Sequence, residues 1–135
     1  MPTSWLDTPP AAVWAESDDP EQNPFIRYRR MLWSWHRAAA AGWTDDDFVA
    51  LTRSIDAAVG EVDATGFRIT PAGWDVSLAG AGAAARVFAK DETHNVGGSH
   101  KARHLMGLLL HLAVDAVAAD TRLAISSCGN AALGA

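Results

Sequence analysis

Lys101 is the residue of this sequence with the clearest chemical potential, because it follows two glycines and Ser99 at a predicted helix start. A lysine amine attacks a carbonyl group when it is uncharged, and both partial desolvation and the positive end of a helix dipole disfavour the ammonium form. Asn130 stands at a second predicted helix start, where backbone N–H groups favour an anion. We therefore expect a partly desolvated lysine nucleophile beside an anion-binding loop.

The segment 86–135 is predicted to position these residues as two strand–loop–helix units. The first unit has a strand over 86–90, a polar loop over 91–98 and a helix capped by Ser99 that runs to about Ala119. The second has a strand over 122–125, a tight loop over 126–129 and a helix from Asn130. Two such units in succession imply parallel strands, whose ligands bind at the carboxyl ends.

Two stretches of this segment resemble one enzyme group. Residues 90–103, Lys-Asp-Glu-Thr-His-Asn-Val-Gly-Gly-Ser-His-Lys-Ala-Arg, resemble the Lys-x-Glu…Asn-x-x-Gly-Ser-x-Lys-x-Arg signature of fold-type II pyridoxal-phosphate enzymes. Residues 126–134 resemble the Ser-x-Gly-Asn loop of the same group, which includes threonine synthase, threonine dehydratase, cysteine synthase and the tryptophan synthase β chain. The resemblance is close over 86–135 and loose before it.

The resemblance implies a cofactor, pyridoxal 5′-phosphate, and roles for the matching residues. Lys101 is implied to be the Schiff-base lysine and then the base that removes the substrate α-proton. Asn130 is implied to contact the cofactor ring hydroxyl, with Ser99 and His100 near its phosphate. The implied loop for the substrate carboxylate consists of Ser127, Cys128, Gly129 and Asn130. The other signature residues are expected to shape the loop rather than touch substrate: Lys90, Glu92, Asn95 and Arg103.

Two positions depart from the family pattern. Relatives mostly carry Ser, Thr or Ala at the position of Cys128, and a thiol near a helix N-terminus can become a nucleophile or a proton donor. A small buried side chain in the place of alanine explains Cys128 better. Ala131 stands where dehydratase-like members often carry His, which weighs against a dehydratase.

Three other kinds of site are disfavoured. His100 and His104 have the spacing of helical metal ligands, but no third ligand clusters with them, so no metal is expected. The Gly-Ser-His-Lys run lacks the first glycine and the final hydroxyl of a nucleotide P-loop. Arginines and tryptophans share a helix predicted over 24–41, but in an acidic chain we expect the tryptophans packed inward and the arginines solvated, not a nucleic-acid groove.

Composition narrows the class of protein. The 135 residues carry a formal charge of −5 and 49% hydrophobic residues, as soluble globular proteins do. No apolar run approaches the ~20 residues of a membrane helix, and the start lacks the pattern of a secretory signal. A single cysteine suits a reducing compartment. We therefore expect a cytoplasmic protein without membrane or nucleic-acid partners.

The predicted organisation is an irregular arm over 1–23, followed over 24–135 by a helical segment and the start of a cofactor-binding α/β domain. A helix capped by Thr44 is predicted to end near Gly60. The helix after Lys101 is apolar almost all round, so it is expected to be buried against a sheet. Two strands alone cover it poorly. We therefore expect the chain to be the N-terminal part of a longer protein, truncated at residue 135, and the resemblance implies that this protein is a doubly wound parallel-sheet enzyme.

The expected function is β-elimination or β-replacement on an α-amino acid by a homodimeric enzyme, as the resemblance implies. Threonine synthase-like γ-chemistry is the alternative within the class. A non-catalytic remnant without the phosphate-binding loop is the alternative outside it.

Overall fold

The computed structural model describes residues 19–75, 86–116, 120–127, 129 and 132. This part of the chain is a mixed structure of helices with one small sheet. Its elements are α1 (Pro24–Arg27), a 3₁₀ turn (Arg29–Met31), α2 (Trp33–Ala40), α3 (Asp45–Asp63), β1 (Ala72–Trp74), β2 (Phe88–Lys90), a second 3₁₀ turn (Val96–Gly98) and α4 (Lys101–Val114). Within the described ranges, no helix combines the length and the apolar character needed to cross a membrane.

The helix predicted over 24–41 is broken into two. The Asn23 side chain accepts the N–H of Phe25 at 2.9 Å and starts α1, with Pro24 in the first turn. Leu32 then adopts an extended conformation (φ −86°, ψ 130°) between the 3₁₀ turn and α2. The break lets both short helices pack on one core, through Phe25 and Ala38. The prediction of inward tryptophans is wrong for Trp33, which is 46% exposed.

Helix α3 begins as the sequence predicts. The Thr44 hydroxyl accepts the N–H of Asp47 at 3.2 Å, and the Asp47 carboxylate accepts the N–H of Thr44 at 2.8 Å, which completes a capping box. The apolar stripe that begins with Phe48 faces the core. The helix continues past the predicted end at Gly60 to Asp63 and stops where Ala64 turns left-handed (φ 59°).

The sheet described is antiparallel. Strand β2 confirms part of the strand predicted over 86–90, and it pairs with β1 so that Trp74 lies opposite Phe88. The strand predicted over 122–125 is wrong, because residues 121–127 contain none. Leu123 and Ile125 are exposed there. A strand needs a neighbour for its backbone groups, and within the described residues nothing pairs with this segment.

The core is formed by α4 packed on the N-terminal helices. Four residues of α4 at helical spacing are buried: Ala102, Met106, Leu110 and Val114. They pack with Phe25, Ala38, Phe48, Phe67 and Val96. The opposite side of α4 is open, since Leu108 is 46% and Leu109 41% exposed, so the expected burial on most sides is not observed. The helix is also shorter than predicted and ends at Val114.

We predict that Leu110→Ala lowers the free energy of unfolding by about 2–5 kcal/mol, because Leu110 is fully buried and its truncation leaves a cavity. Leu109→Ala is the matched control. It removes the same atoms from an adjacent, 41% exposed position and should change stability by about 0.5 kcal/mol or less. Urea unfolding followed by tryptophan fluorescence measures both. Equal losses in the two variants would contradict the described orientation of α4.

Candidate functional site

The glycine loop before Lys101 is held by its own backbone and side chains. Gly97 and Gly98 have φ of 62° and 60°, a conformation that suits glycine. The side-chain amide of Asn95 donates to the carbonyl of Ser99 at 2.9 Å, and the Ser99 hydroxyl accepts the N–H of Lys101 at 3.1 Å. Backbone geometry makes His100 the N-cap of α4, whereas the sequence predicted Ser99. Ser99 lies one residue before the N-cap, and its hydroxyl still accepts the N–H of the first helical residue.

A carboxylate from α3 also holds this loop. Asp63, the last residue of α3, accepts the N–H of Gly97 at 3.1 Å. In the direction of its missing side chain Gly97 is open, because a Cβ built there would meet none of the described residues within 4 Å. The loop is therefore anchored from one side and accessible from another.

A network around Glu92 joins three parts of the chain. One Glu92 oxygen accepts the Thr70 hydroxyl at 2.7 Å, and the other accepts Nε of Arg103 at 2.8 Å. Nζ of Lys90 lies 3.3 Å from Glu92 and also donates to the carbonyl and hydroxyl of Thr70. Arg103 donates further to the carbonyl of Arg68 at 2.9 Å. These contacts fix the segment before β1, the end of β2 and the start of α4, as expected for residues that shape the loop.

The network lowers the pKa of Glu92. Partial burial acts to raise the pKa of this carboxyl, but the hydrogen bonds from Arg103 and Thr70 and the positive charge of Arg103 outweigh it. The Glu92 side chain is 15% exposed and that of Arg103 22%, so solvent screens the pair only in part. At neutral pH the carboxylate is therefore ionised and the network is charged.

Lys101 lies at the surface. It is the first residue of α4, it is exposed, and in the described part of the chain its amine has no hydrogen-bond or ion-pair partner. The expected partial desolvation is therefore wrong for these residues. The reason is the helix rotation: burial of Ala102 and Met106 turns Lys101 to the opposite face. His100 and His104 are exposed too, and the described residues contain no group of three potential metal ligands.

The second motif is described only in part. Ser127 is exposed, and its hydroxyl accepts the N–H of Gly129 at 3.3 Å. The N–H of Ala132 then donates to the carbonyl of Gly129 at 2.8 Å, as at a helix start. Cys128, Asn130 and Ala131 lie outside the described residues. The structure therefore describes Ser127 and Gly129 of this loop, but not Asn130, the predicted cofactor contact.

One cavity lies between the two motif-bearing segments. It has a volume of about 610 Å³ and an apolar lining. Helix α4 contributes Leu105, Leu108 and Leu112, which share a face with Lys101 at helical spacing, and the second segment contributes Leu123, Ile125 and Ala132. The sequence analysis did not predict this cavity. The leucines at helical spacing on the same face of α4 as Lys101 were the feature that could have indicated it. The lining residues that belong to the described part of the chain are all apolar.

The comparisons identify no relative. No family model, no curated protein and no solved structure matches the chain. The fit of the predicted cofactor is therefore judged on the residues themselves. Among the described residues the Lys101 amine has no partner, and a Cβ built on Gly97 would meet nothing within 4 Å. In the first turn of α4 the N–H of Lys101 donates to the Ser99 hydroxyl and the N–H of Arg103 donates to the His100 carbonyl, so these two donors are already engaged. The amine and the space beside the loop fit an aldehyde.

We predict that Arg103→Gln lowers the free energy of unfolding by about 1–3 kcal/mol at pH 7, since it leaves Glu92 short of a charged partner. Arg122→Gln, the same change at an exposed position, should have little effect.

The difference in the free energy of unfolding between wild type and Arg103→Gln should become smaller as the pH falls. The folded pKa of Glu92 lies below its ordinary value of 4.5, so its stabilisation is complete above that value. It is lost as the pH falls through the folded pKa. Urea titrations at pH 7 and at several pH values below 4.5 should show the gap narrowing in acid. A gap that is constant or widens would contradict the proposed role of the pair.

Proposed function

We propose that this chain carries the lysine side of the active site of a fold-type II pyridoxal-phosphate enzyme, which acts on an α-amino acid by β-elimination or β-replacement. The observation that carries the proposal is the position of Lys101. Its amine, which has no partner among the described residues, projects from the first residue of a 14-residue helix, directly after a glycine loop with open space beside it. The resemblance of residues 90–103 and 126–134 to the two motifs of that group supplies the chemistry.

The residues then have distinct tasks. When bound, the cofactor would supply an electron sink for the bond broken at the substrate α-carbon. Nζ of Lys101 would hold the cofactor aldehyde and later take the α-proton. Ser99 and His100 stand at the helix start, where a phosphate is favoured. Ser127 and Gly129 would orient the substrate carboxylate together with Cys128 and Asn130.

The positioning of Lys101 supports this assignment. Proton transfer requires the base to lie within hydrogen-bond reach of the substrate, so the start of α4 must be fixed. Arg103 fixes it through Glu92 at 2.8 Å and the Arg68 carbonyl at 2.9 Å, two residues after Lys101. Leu123 and Ile125, from the segment of the second motif, line the same cavity as the exposed leucines of α4, so this segment lies close to α4.

The proposal extends to the architecture of the whole enzyme. It includes a doubly wound parallel sheet and a homodimeric assembly, which follow from the resemblance, and a cytoplasmic location, which rests on the single cysteine. Threonine synthase-like γ-chemistry is the alternative reaction. Release of a 2-oxo acid from β-activated amino acids, compared with γ-activated ones, separates the two reactions.

The lysine assignment is tested by cofactor capture. The natural gene product that contains these 135 residues is incubated with pyridoxal phosphate, reduced with borohydride, digested and mapped by mass spectrometry. We expect about one pyridoxyl group per chain on Lys101, because one lysine forms the covalent link. Lys101→Arg keeps the charge and should abolish the label at that position.

5′-Deoxypyridoxal, which carries a methyl group in place of the phosphate ester, is the matched probe. It offers the same free aldehyde without the anion and cannot close a hemiacetal, so it should label Lys101 much less if the helix start binds the phosphate. Labelling of Lys90 and Lys101 to the same extent, or none at Lys101, would overturn the proposed function.

A further inference from the structure

The chain contains two lysines, Lys90 and Lys101, and exposure alone does not distinguish them. The Lys90 side chain is 45% exposed, and Lys101 is also exposed. A small reagent in water can therefore reach both amines. Exposure therefore does not produce a difference in their reactivity, whereas the groups that contact each amine can.

The contacts of Lys90 occupy its amine. Nζ donates to the carbonyl and to the hydroxyl of Thr70, and it lies 3.3 Å from a carboxylate oxygen of Glu92. An ammonium has three N–H donors, so these three acceptors match them. Glu92 and Thr70 are fixed in turn, because the Thr70 hydroxyl donates to Glu92 at 2.7 Å and Arg103 holds the other carboxylate oxygen at 2.8 Å.

The amine of Lys101 has no such partners among the described residues. Its backbone N–H is bound by Ser99 at 3.1 Å, which fixes the main chain but leaves the side chain free. The network that holds Lys90 also lies on the far side of α4, because Arg103 follows Lys101 by two residues and so points to the other side of the helix.

We propose that Thr70 and Glu92 mask Lys90, so that small carbonyl compounds react selectively at Lys101. Addition requires a lone pair on Nζ, and forming that lone pair releases one proton to solvent. The nitrogen then bonds to the carbonyl carbon and one water molecule leaves. At Lys90 this removes a donor from Thr70 or Glu92 and turns the amine out of its three contacts. At Lys101 no contact with the described residues is lost.

The masking would direct any small aldehyde to Lys101 rather than Lys90, and it does not require the proposed cofactor. In a pyridoxal-phosphate enzyme it would prevent attachment at a second lysine 11 positions from the first. The test therefore uses formaldehyde, a neutral aldehyde without a phosphate, so that failure of the masking is distinguished from failure of the proposed function.

The folded protein is treated with dilute formaldehyde and cyanoborohydride at one fixed pH, and the initial rates of methylation are read from the peptides that contain Lys90 and Lys101. Hydride from the reagent reduces the imine to the methylamine. We expect Lys101 to react about tenfold faster than Lys90, since breaking one charge-assisted hydrogen bond costs about that factor. The same reaction in urea, where neither lysine has contacts, should bring the ratio near one.

Glu92→Gln and Thr70→Val remove different parts of the mask, and each should raise the rate at Lys90 while leaving that at Lys101 unchanged. Glu61→Gln is the matched control, because Glu61 is exposed on α3, and it should keep the wild-type ratio. Circular dichroism verifies that each variant is folded. If one variant unfolds, the other still tests the mask.

Two results would overturn the inference. One is equal rates at Lys90 and Lys101 in the folded wild type. The other is a wild-type ratio in a folded Glu92→Gln or Thr70→Val variant. A rate ratio that falls in both variants, with no capture of pyridoxal phosphate on Lys101, would retain the mask and reject the proposed function.

Discussion

The carboxylate of Glu92 connects the parts of the chain on which the candidate site depends. It receives hydrogen bonds from Thr70 and Arg103 and lies beside the amine of Lys90, so it joins the segment before β1, the end of β2 and the start of α4. The charged side chains of Glu92 and Arg103 are mostly buried, so removal of one partner would leave the other charge without compensation. The loop that precedes Lys101 therefore keeps its position only while this network is intact.

A second constraint is the rotation of α4, which apolar burial decides. Ala102, Met106 and Leu110 face the core, and Arg103 lies at the edge of that face. Lys101 must then point away from the core. The same rotation leaves a row of leucines open beside the apolar cavity. One packing choice thus determines both the exposure of the amine and the character of the surface next to it.

The sequence predicted the local features that depend on neighbouring residues. The capping box at Thr44 and Asp47, the strand that ends at Lys90 and the helix after the glycine loop are all present, because caps, turns and periodicity are encoded within a few positions. The break at Leu32 was not predictable, since an extended residue there is favoured by core packing rather than by propensity.

The strand predicted over 122–125 fails for a related reason, because a strand exists only where another strand pairs with it. For the site, Glu92, Asn95 and Arg103 were predicted to shape the loop before Lys101, and their side chains hold that loop and the start of α4. The signature did not predict the exposure of Lys101, which follows from tertiary packing, or the pairing of Lys90 with Thr70 across 20 positions.

The bond from Gly97 to Asp63 has a kinetic consequence. It spans 34 positions and joins the glycine loop to the last residue of α3. The hydrogen of that one amide is shielded while the Asp63 carboxylate stays on the loop, so its exchange with deuterium reports how often this contact is broken in the native protein.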